Sequence, residues 1–216
     1  MFIGHYAVGL AAKRFAPGSS LGPLIAAPIL LDLLWPIFIL IGWEQVRIDP
    51  GNTRFTPLDF VSYPISHGLV AVVAWATLFT VFYYIYSRYR AGAIAVWLGV
   101  VSHWLLDFVT HRPDLPLYAG GPRVGLGLWN SPAATIAVEL TMYAAGVLLY
   151  ARSTRPRDAI GKWAFLVFVA ALPCLYFATI RSSPPSSVRA VAVPAFCLSA
   201  LLVVWAWWFD WHREVS

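Results

Sequence analysis

Long apolar stretches alternate with short polar segments along the whole chain, and this pattern dominates the sequence. Each stretch has, or nearly has, the roughly 20 residues that a helix needs to cross the hydrocarbon core of a bilayer. The stretches lie at about 21–42, 64–87, 91–111, 130–151, 160–180 and 189–211. The pattern therefore predicts an all-α fold, a polytopic membrane helical bundle with about six transmembrane helices.

The first fifteen residues are apolar as well, but they are too few to span a bilayer. The segment GHYAVGLAA predicts a short N-terminal helix. This helix is either amphipathic and at the membrane surface, or partly inserted and packed against the bundle with His5 directed inward. Lys13 and Arg14 follow the apolar residues instead of preceding them, so the segment does not match a signal peptide. We interpret residues 1–216 as one integral-membrane domain.

The composition agrees with a membrane protein and excludes an ordinary soluble domain. Hydrophobic residues make up 60% of the chain and charged residues only 12%, whereas a soluble domain has about 25% charged residues. The mean hydropathy is +0.70. The net charge of +5 is distributed over short loops without a nucleic-acid motif, so we expect membrane lipids and no nucleic acid as partners.

The distribution of basic residues predicts the orientation of the bundle. Nine Lys and Arg residues lie on the side that holds both chain ends, and six lie on the opposite side. The excess favours cytoplasmic N- and C-termini. The long connections 43–63 and 112–129 then lie on the outer side and flank several histidines. Loops of this length are usually functional or disordered, and here they are expected to form a pocket wall or lid.

Ionisable residues inside apolar stretches are the strongest functional signal, because such groups are costly in a bilayer and usually mark a site. The segment SHWLLDFVTH places His103, Asp107 and His111 at intervals of four. Residues four apart share one helix face, so His103 and Asp107 can bind one metal ion. His111 lies about 12 Å along the axis from His103 if the helix continues. Either Asp107 bridges two metal ions, or His111 acts outside the ligand set.

Two further groups are expected at the same site. Asp32 lies in the run PLIAAPILLDLLWPIFIL, where a carboxylate needs a metal ion, a partner or water. His67 opens the second apolar stretch and should lie at the depth of Asp107, because consecutive spans run in opposite directions. The alternatives are a protonated carboxyl that bonds between helices and an ordinary core histidine. Imidazole with carboxylate suits zinc among the common metals.

Other polar residues near these stretches have candidate roles. Glu139 is a ligand, a general base or the partner of an arginine, and His111 is the other candidate to accept a proton. Asp210 and His212 adjoin a tryptophan cluster and are interpreted as an interfacial anchor. Three arginines at the outer rim are candidates to hold an anionic head group, as arginine commonly does: Arg54, Arg112 and Arg123.

Several of these residues together resemble the YdjM-like family of bacterial inner-membrane proteins, which are regarded as metal-dependent hydrolases with a distant similarity to zinc-dependent phospholipase C. The resemblance covers about residues 1–130, and residues 131–216 add further spans. It implies five metal ligands and one or two zinc ions. It is carried by Gly4-His5, Asp32 with Pro36, Ser66-His67, and Gly99-x2-Ser102-His103-x3-Asp107, and the implied ligands are His5, Asp32, His67, His103 and Asp107.

Three functions are compatible with the sequence. The first is an integral-membrane metal-dependent hydrolase that acts on a lipid or lipid-phosphate through an activated water. The second is a transporter that uses the same His/Asp cluster to bind protons or metal ions. The third is a non-catalytic membrane scaffold. Motifs of serine hydrolases, P-loop proteins and HExxH metalloproteases are absent from the sequence.

Overall fold

The computed structural model describes all residues 1–216, and eight helices make up most of the chain. Three short two-stranded antiparallel sheets connect helix ends: β1 with β2, β3 with β4, and β5 with β6. The all-α class is confirmed. The helices are α1 (Ile3–Phe15), α2 (Leu21–Ala26), α3 (Leu30–Leu40), α4 (Leu69–Ser87), α5 (Arg90–Thr110), α6 (Pro132–Ser153), α7 (Ala159–Arg181) and α8 (Val188–Trp211); the strands are β1 (Gln45–Ile48), β2 (Leu58–Ser62), β3 (Leu115–Pro116), β4 (Arg123–Val124), β5 (Thr154–Pro156) and β6 (Arg213–Val215).

Five helices, α4 to α8, are long and apolar enough to cross a membrane. They match the last five predicted stretches to within a few residues at each end, except that α4 begins five residues late. Large apolar side chains point outward from these helices, for example Phe82, which is 64% exposed, and Leu201, which is 58% exposed. Such surfaces suit contact with lipid, which confirms a membrane-spanning helical protein.

The first predicted span is interrupted, because residues 27–29 form a turn between α2 and α3. Pro28 lies in this turn, and a proline cannot donate the backbone hydrogen bond that would continue a helix. Both helices pack against α8. The structure therefore contains five continuous spans, α4 to α8. The first predicted span is replaced by a broken segment, α2 and α3.

The N-terminal helix α1 lies inside the bundle, where it packs against α2, α5 and α6. Small residues permit this close approach. A Cβ atom added to Gly146 of α6 would lie 2.4 Å from the carbonyl oxygen of Ala7. A Cβ atom added to Gly9 would lie 2.7 Å from the carbonyl oxygen of Leu24. Of the two expectations for this segment, the structure has the packed helix that directs His5 inward.

Two polar regions lie at opposite ends of α1. The end near Ile3 meets the C-terminal half of α5, where Met1 and His5 both contact Asp107. The end near Lys13 meets Asp210 of α8, which is buried. Asp210 is thus buried at the C-terminal end of α8, where it pairs with Lys13. The interpretation of Asp210 and His212 as an interfacial anchor stays a prediction.

Candidate metal centre

The centre is built on α5, where His103 and Asp107 lie one helical turn apart. Both are buried, and the Nε2 atom of His103 lies 3.1 Å from Oδ2 of Asp107. The spacing of four residues had predicted this contact. The C-terminal half of α5 therefore provides a nitrogen and an oxygen donor for one site.

His67 faces this pair from the turn that precedes α4. Its Nε2 atom lies 3.2 Å from Nε2 of His103 and 3.7 Å from Oδ2 of Asp107. His67 lies just outside α4, which begins at Leu69. His67 therefore lies at the depth of Asp107, as the alternating directions of the spans predict.

The other ring nitrogens show which protons the two histidines carry. Nδ1 of His103 lies 2.7 Å from the carbonyl oxygen of Pro28, which can only accept, so this Nδ1 donates. Nδ1 of His67 lies 2.7 Å from the hydroxyl oxygen of Ser66, and that hydroxyl donates to Glu44. If both rings are neutral, their Nε2 atoms therefore present lone pairs to each other at 3.2 Å. This contact is repulsive unless a proton or a metal ion lies between them.

Asp32 completes one side of the cluster from the first turn of α3. Its Oδ1 atom lies 4.0 Å from Nε2 of His67 and 3.9 Å from Nε2 of His103. The side chain is 38% exposed, whereas those of His67 and His103 are almost fully buried. The break after α2 thus supplies both the carbonyl oxygen of Pro28 and an accessible carboxylate, as discontinuous helices do in other membrane proteins.

His5 approaches from α1 on the opposite side of Asp107. Its Nε2 atom lies 3.2 Å from Oδ1 of Asp107, and its ring stacks on that of His103 with 3.8 Å between the centroids. The nitrogen of Met1 also lies 2.6 Å from Oδ1 of Asp107. Five residues named from the sequence therefore meet in two groups that share His103: His5, His103 and Asp107, and Asp32, His67 and His103.

His111 also reaches the cluster from the position that directly follows α5, where its backbone is extended, with ψ at 147°. Its Nε2 atom lies 3.7 Å from Oδ2 of Asp107. The interval of four residues predicts this approach of His111 to Asp107. Nδ1 of His111 lies 2.9 Å from Oδ1 of Asp114, and the hydroxyl of Tyr63 donates to the same oxygen.

Glu139 of α6 binds the N-terminus of α1. Its Oε2 atom accepts hydrogen bonds from the backbone nitrogens of Phe2, at 2.8 Å, and Gly4, at 3.2 Å. These nitrogens have no partner within α1, so the carboxylate acts as a cap supplied by another helix. Oε1 of Glu139 is buried without a hydrogen bond. The carboxylate thus fixes the end of α1 that carries His5.

The three predicted head-group arginines lie outside the cluster. Arg112 pairs with both Asp59 of β2 and Asp114. Arg123 is exposed and donates to the carbonyl oxygen of Val61. Arg54 is exposed on the turn of the β1–β2 hairpin. Arg112 is therefore engaged with carboxylates, while the other two are accessible at the rim.

Sequence reasoning missed three residues that support the site: Glu44, Tyr63 and Asp114. Asp114 follows His111 by three residues, which is a local signal for pairing. Glu44 has no such signal, since it contacts Ser66 only through the folding of the 43–63 connection. Burial raises the pKa of the Glu44 carboxyl, while hydrogen bonds from Ser66 oppose that rise. Burial, with the neighbouring Asp114 carboxylate, raises the pKa of Tyr63 well above its usual value.

Comparison with known proteins adds no relative to this description. No protein-family model, curated protein or solved structure matches the chain. What the residues support is a membrane-spanning helical protein with a His/Asp cluster that is able to bind a metal ion.

Proposed function

We propose that this protein is an integral-membrane, metal-dependent hydrolase that cleaves an ester of a lipid or lipid-phosphate. The observation that carries the proposal is the meeting of two Nε2 atoms, those of His67 and His103, at 3.2 Å from each other and beside the Asp107 carboxylate. Two imidazole nitrogens and a carboxylate that meet this closely in a buried place form a donor set for a metal ion.

The distances fit a divalent metal such as zinc. Zinc binds imidazole nitrogen at about 2.0–2.1 Å in tetrahedral sites, so two of its ligand atoms lie about 3.3 Å apart. The Nε2 atoms of His67 and His103 are 3.2 Å apart, and Nε2 of His103 is 3.1 Å from Oδ2 of Asp107. Asp32, at 3.9–4.0 Å from the two histidines, is placed to be a fourth ligand after a small movement.

A divalent ion supplies Lewis-acid chemistry that makes water a nucleophile near neutral pH. His111 is placed to take a proton from such a water, because its Nδ1 is held by Asp114 and its Nε2 faces the cluster. Asp32, as the exposed member, marks the side from which substrate enters. Arg54 and Arg123 at the rim are available to bind an anionic head group.

The substrate class follows from the surroundings of the centre. The cluster lies among apolar helices, so a lipid or lipid-phosphate can present its head group there while its chains stay in the bilayer. Divalent zinc, the bacterial inner membrane and cytoplasmic termini belong to the same proposal. They are supported by the His/Asp donor set, the resemblance to the YdjM-like family and the excess of basic residues on one side.

The first test is metal content. Protein purified in detergent without chelator, and then offered zinc or manganese, should retain about one or two ions per chain. His103→Ala should lose the metal, because it removes a member of both donor groups. His212→Ala is the matched control, since His212 pairs with Asp158 far from the cluster. Wild-type protein that binds no metal under these conditions would contradict the proposal.

The second test is turnover. His111→Gln should lower hydrolysis of phosphatidic acid or of a chromogenic phosphate ester by about 100- to 10,000-fold, the usual effect of losing general acid–base catalysis. Metal content should stay at the wild-type value. If wild-type protein loaded with metal hydrolyses neither these esters nor a phospholipid panel, the hydrolase assignment is wrong.

The broken segment favours a second candidate, a transporter. Substrate and ion sites of transporters commonly lie where a membrane helix is interrupted, and here the interruption lies between Ala26 and Leu30, beside Asp32. A transporter would show ion flux in liposomes that Asp32→Asn abolishes, and would show no turnover. A hydrolase would show turnover without flux.

A further inference from the structure

Glu44, in the connection between α3 and β1, is a buried carboxylate at the start of a chain of hydrogen bonds to the cluster. Its side chain is enclosed, and the residue is 2% exposed. Oε1 accepts hydrogen bonds from the backbone nitrogens of Ile65 and Ser66, both at 2.8 Å. Oε2 accepts the hydroxyl proton of Ser66 at 2.6 Å. Both oxygens are thus committed as acceptors.

Because Glu44 accepts the hydroxyl proton of Ser66, it determines what the Ser66 oxygen can do toward His67. A serine hydroxyl has one proton, and that of Ser66 is given to Glu44. The Ser66 oxygen can then only accept from Nδ1 of His67, 2.7 Å away. Nδ1 of His67 must carry the proton, and Nε2 must carry the lone pair that faces His103.

We propose that Glu44 is a positioning residue that acts through Ser66 to fix the tautomer of His67, so that Nε2 is presented to the metal ion. This inference rests on the metal site of the proposed function but does not depend on the reaction. Hydrogen bonds of this kind orient metal-binding histidines in many proteins, and their loss lowers metal affinity about 10- to 100-fold.

The two histidines of the cluster are held by different means. The proton on Nδ1 of His103 is fixed by the carbonyl oxygen of Pro28, which no side-chain substitution changes. The proton on Nδ1 of His67 depends on the side chains of Ser66 and Glu44. His103 therefore provides an internal control for any change at Glu44.

Glu44→Gln is the discriminating variant. In this variant, the side-chain oxygen of the new amide must keep accepting from the backbone N–H groups of Ile65 and Ser66. Its NH₂ group then faces the hydroxyl oxygen of Ser66. Ser66 then accepts from Gln and gives its own proton to Nδ1 of His67. The relay is reversed, His67 carries its proton on Nε2, and the two backbone hydrogen bonds of the cap are kept.

The readout is ¹⁵N NMR of the ring nitrogens in metal-free protein labelled at its five histidines. In wild-type protein, His67 and His103 should both show the Nδ1–H tautomer. Glu44→Gln should convert His67 to the Nε2–H tautomer and leave His103 unchanged. If His67 keeps its wild-type ¹⁵N shifts in this variant, the inference is wrong even where metal binding and turnover persist.

Metal affinity provides the second readout, measured by zinc competition with a chelating dye. Glu44→Gln and Ser66→Ala should each weaken zinc binding about 10- to 100-fold, while Ser66→Thr, which keeps the hydroxyl, should restore it. Equal zinc affinity of Ser66→Ala and Ser66→Thr would overturn the inference. If wild-type protein binds no zinc at all, the proposed function fails, and the tautomer measurement still decides the role of Glu44.

Discussion

Two buried polar clusters lie in this bundle, and their hydrogen bonds differ in kind. We call the one around Lys13 and Asp210 the inner cluster, and the His/Asp cluster around Asp107 the outer cluster. In the inner cluster, Asp210 accepts from Lys13 at 2.8 Å, from the backbone nitrogen of Leu21 at 2.9 Å and from the hydroxyl of Tyr150 at 2.7 Å. Lys13 also donates to the carbonyl oxygen of Ser19. Each acceptor meets a donor, and one positive charge balances one negative charge.

In the outer cluster, the two oxygens of Asp107 differ: Oδ1 meets the ammonium group of Met1 and His5, whereas Oδ2 faces imidazole nitrogens. Oδ2 of Asp107 has the Nε2 atoms of His67, His103 and His111 within 3.7 Å, and at least two of these nitrogens present lone pairs if the rings are neutral. The inner arrangement is complete without a ligand, which indicates a structural role. The outer arrangement brings together a set of imidazole and carboxylate donors that is able to bind a metal ion. Both clusters are buried, so what distinguishes them is whether their polar atoms have hydrogen-bond partners within the protein.

The largest expected effect is at the inner cluster. Asp210→Ala leaves the Lys13 ammonium group buried without its carboxylate and should lower the free energy of unfolding by about 3–5 kcal/mol. The measurement is chemical unfolding in detergent micelles. Metal content should not change. A loss below about 1 kcal/mol would show that the inner cluster does not hold α1 to α8.

A double variant sharpens this result. Lys13→Met combined with Asp210→Asn removes both charges, keeps an acceptor for the nitrogen of Leu21, and should recover most of the lost stability. Replacing a buried ion pair by uncharged groups is often neutral, whereas breaking it is not. If the double variant is as unstable as Asp210→Ala, the ion pair is not the source of the effect.

A smaller effect is expected when metal is added. Zinc at about 100 times its dissociation constant should raise the free energy of unfolding of the wild type by about 2.7 kcal/mol, because it binds only the folded state. Asp107→Ala should abolish this increase. Asp210→Ala should retain it despite its lower starting stability, and an absent response in that variant would mean that the two clusters are coupled.

The smallest expected effect concerns Asp158, at the exposed end of the inner region. Hydrogen bonds from the backbone of Gly161 and from His212 lower the pKa of the Asp158 carboxyl. A lowered pKa in the folded state means that the stabilisation is present above the ordinary Asp value of about 4 and is lost as the pH falls below it. The melting temperature of wild type should exceed that of Asp158→Asn at pH 6, and the difference should vanish in acid. A difference that is constant with pH would contradict this.

The sequence predicted the parts of this molecule that depend on local spacing. Hydropathy located α4 to α8, and the interval of four residues paired His103 with Asp107. Opposite running directions of consecutive spans brought His67 to the same depth. Each of these follows from residues close together on one helix, or from the simple alternation of spans.

The sequence did not predict the parts that depend on contacts between distant segments of the chain. Tyr63 meets Asp114, beside His111, because two connections that are distant in sequence fold together. Glu44 meets Ser66 through the path of a long connection, which hydropathy does not describe. Glu139 contacts the first turn of α1 and not the ligand atoms, because α1 enters the bundle. These contacts are long-range, so no local pattern encodes them.

The interruption between α2 and α3 has a consequence for the biosynthesis of the protein. Each of these helices is too short to cross a bilayer alone, and both pack against α8, which the ribosome makes long after α2 and α3. We expect the broken segment to remain loosely inserted until α8 is synthesised and packs against it. This packing then fixes the positions of the carbonyl oxygen of Pro28 and the carboxylate of Asp32. Contacts between distant parts of a chain form slowly, so we expect the candidate metal centre to form late in folding. A chain that stalls before α8 would contain the histidines of the centre but could not arrange them to bind a metal ion.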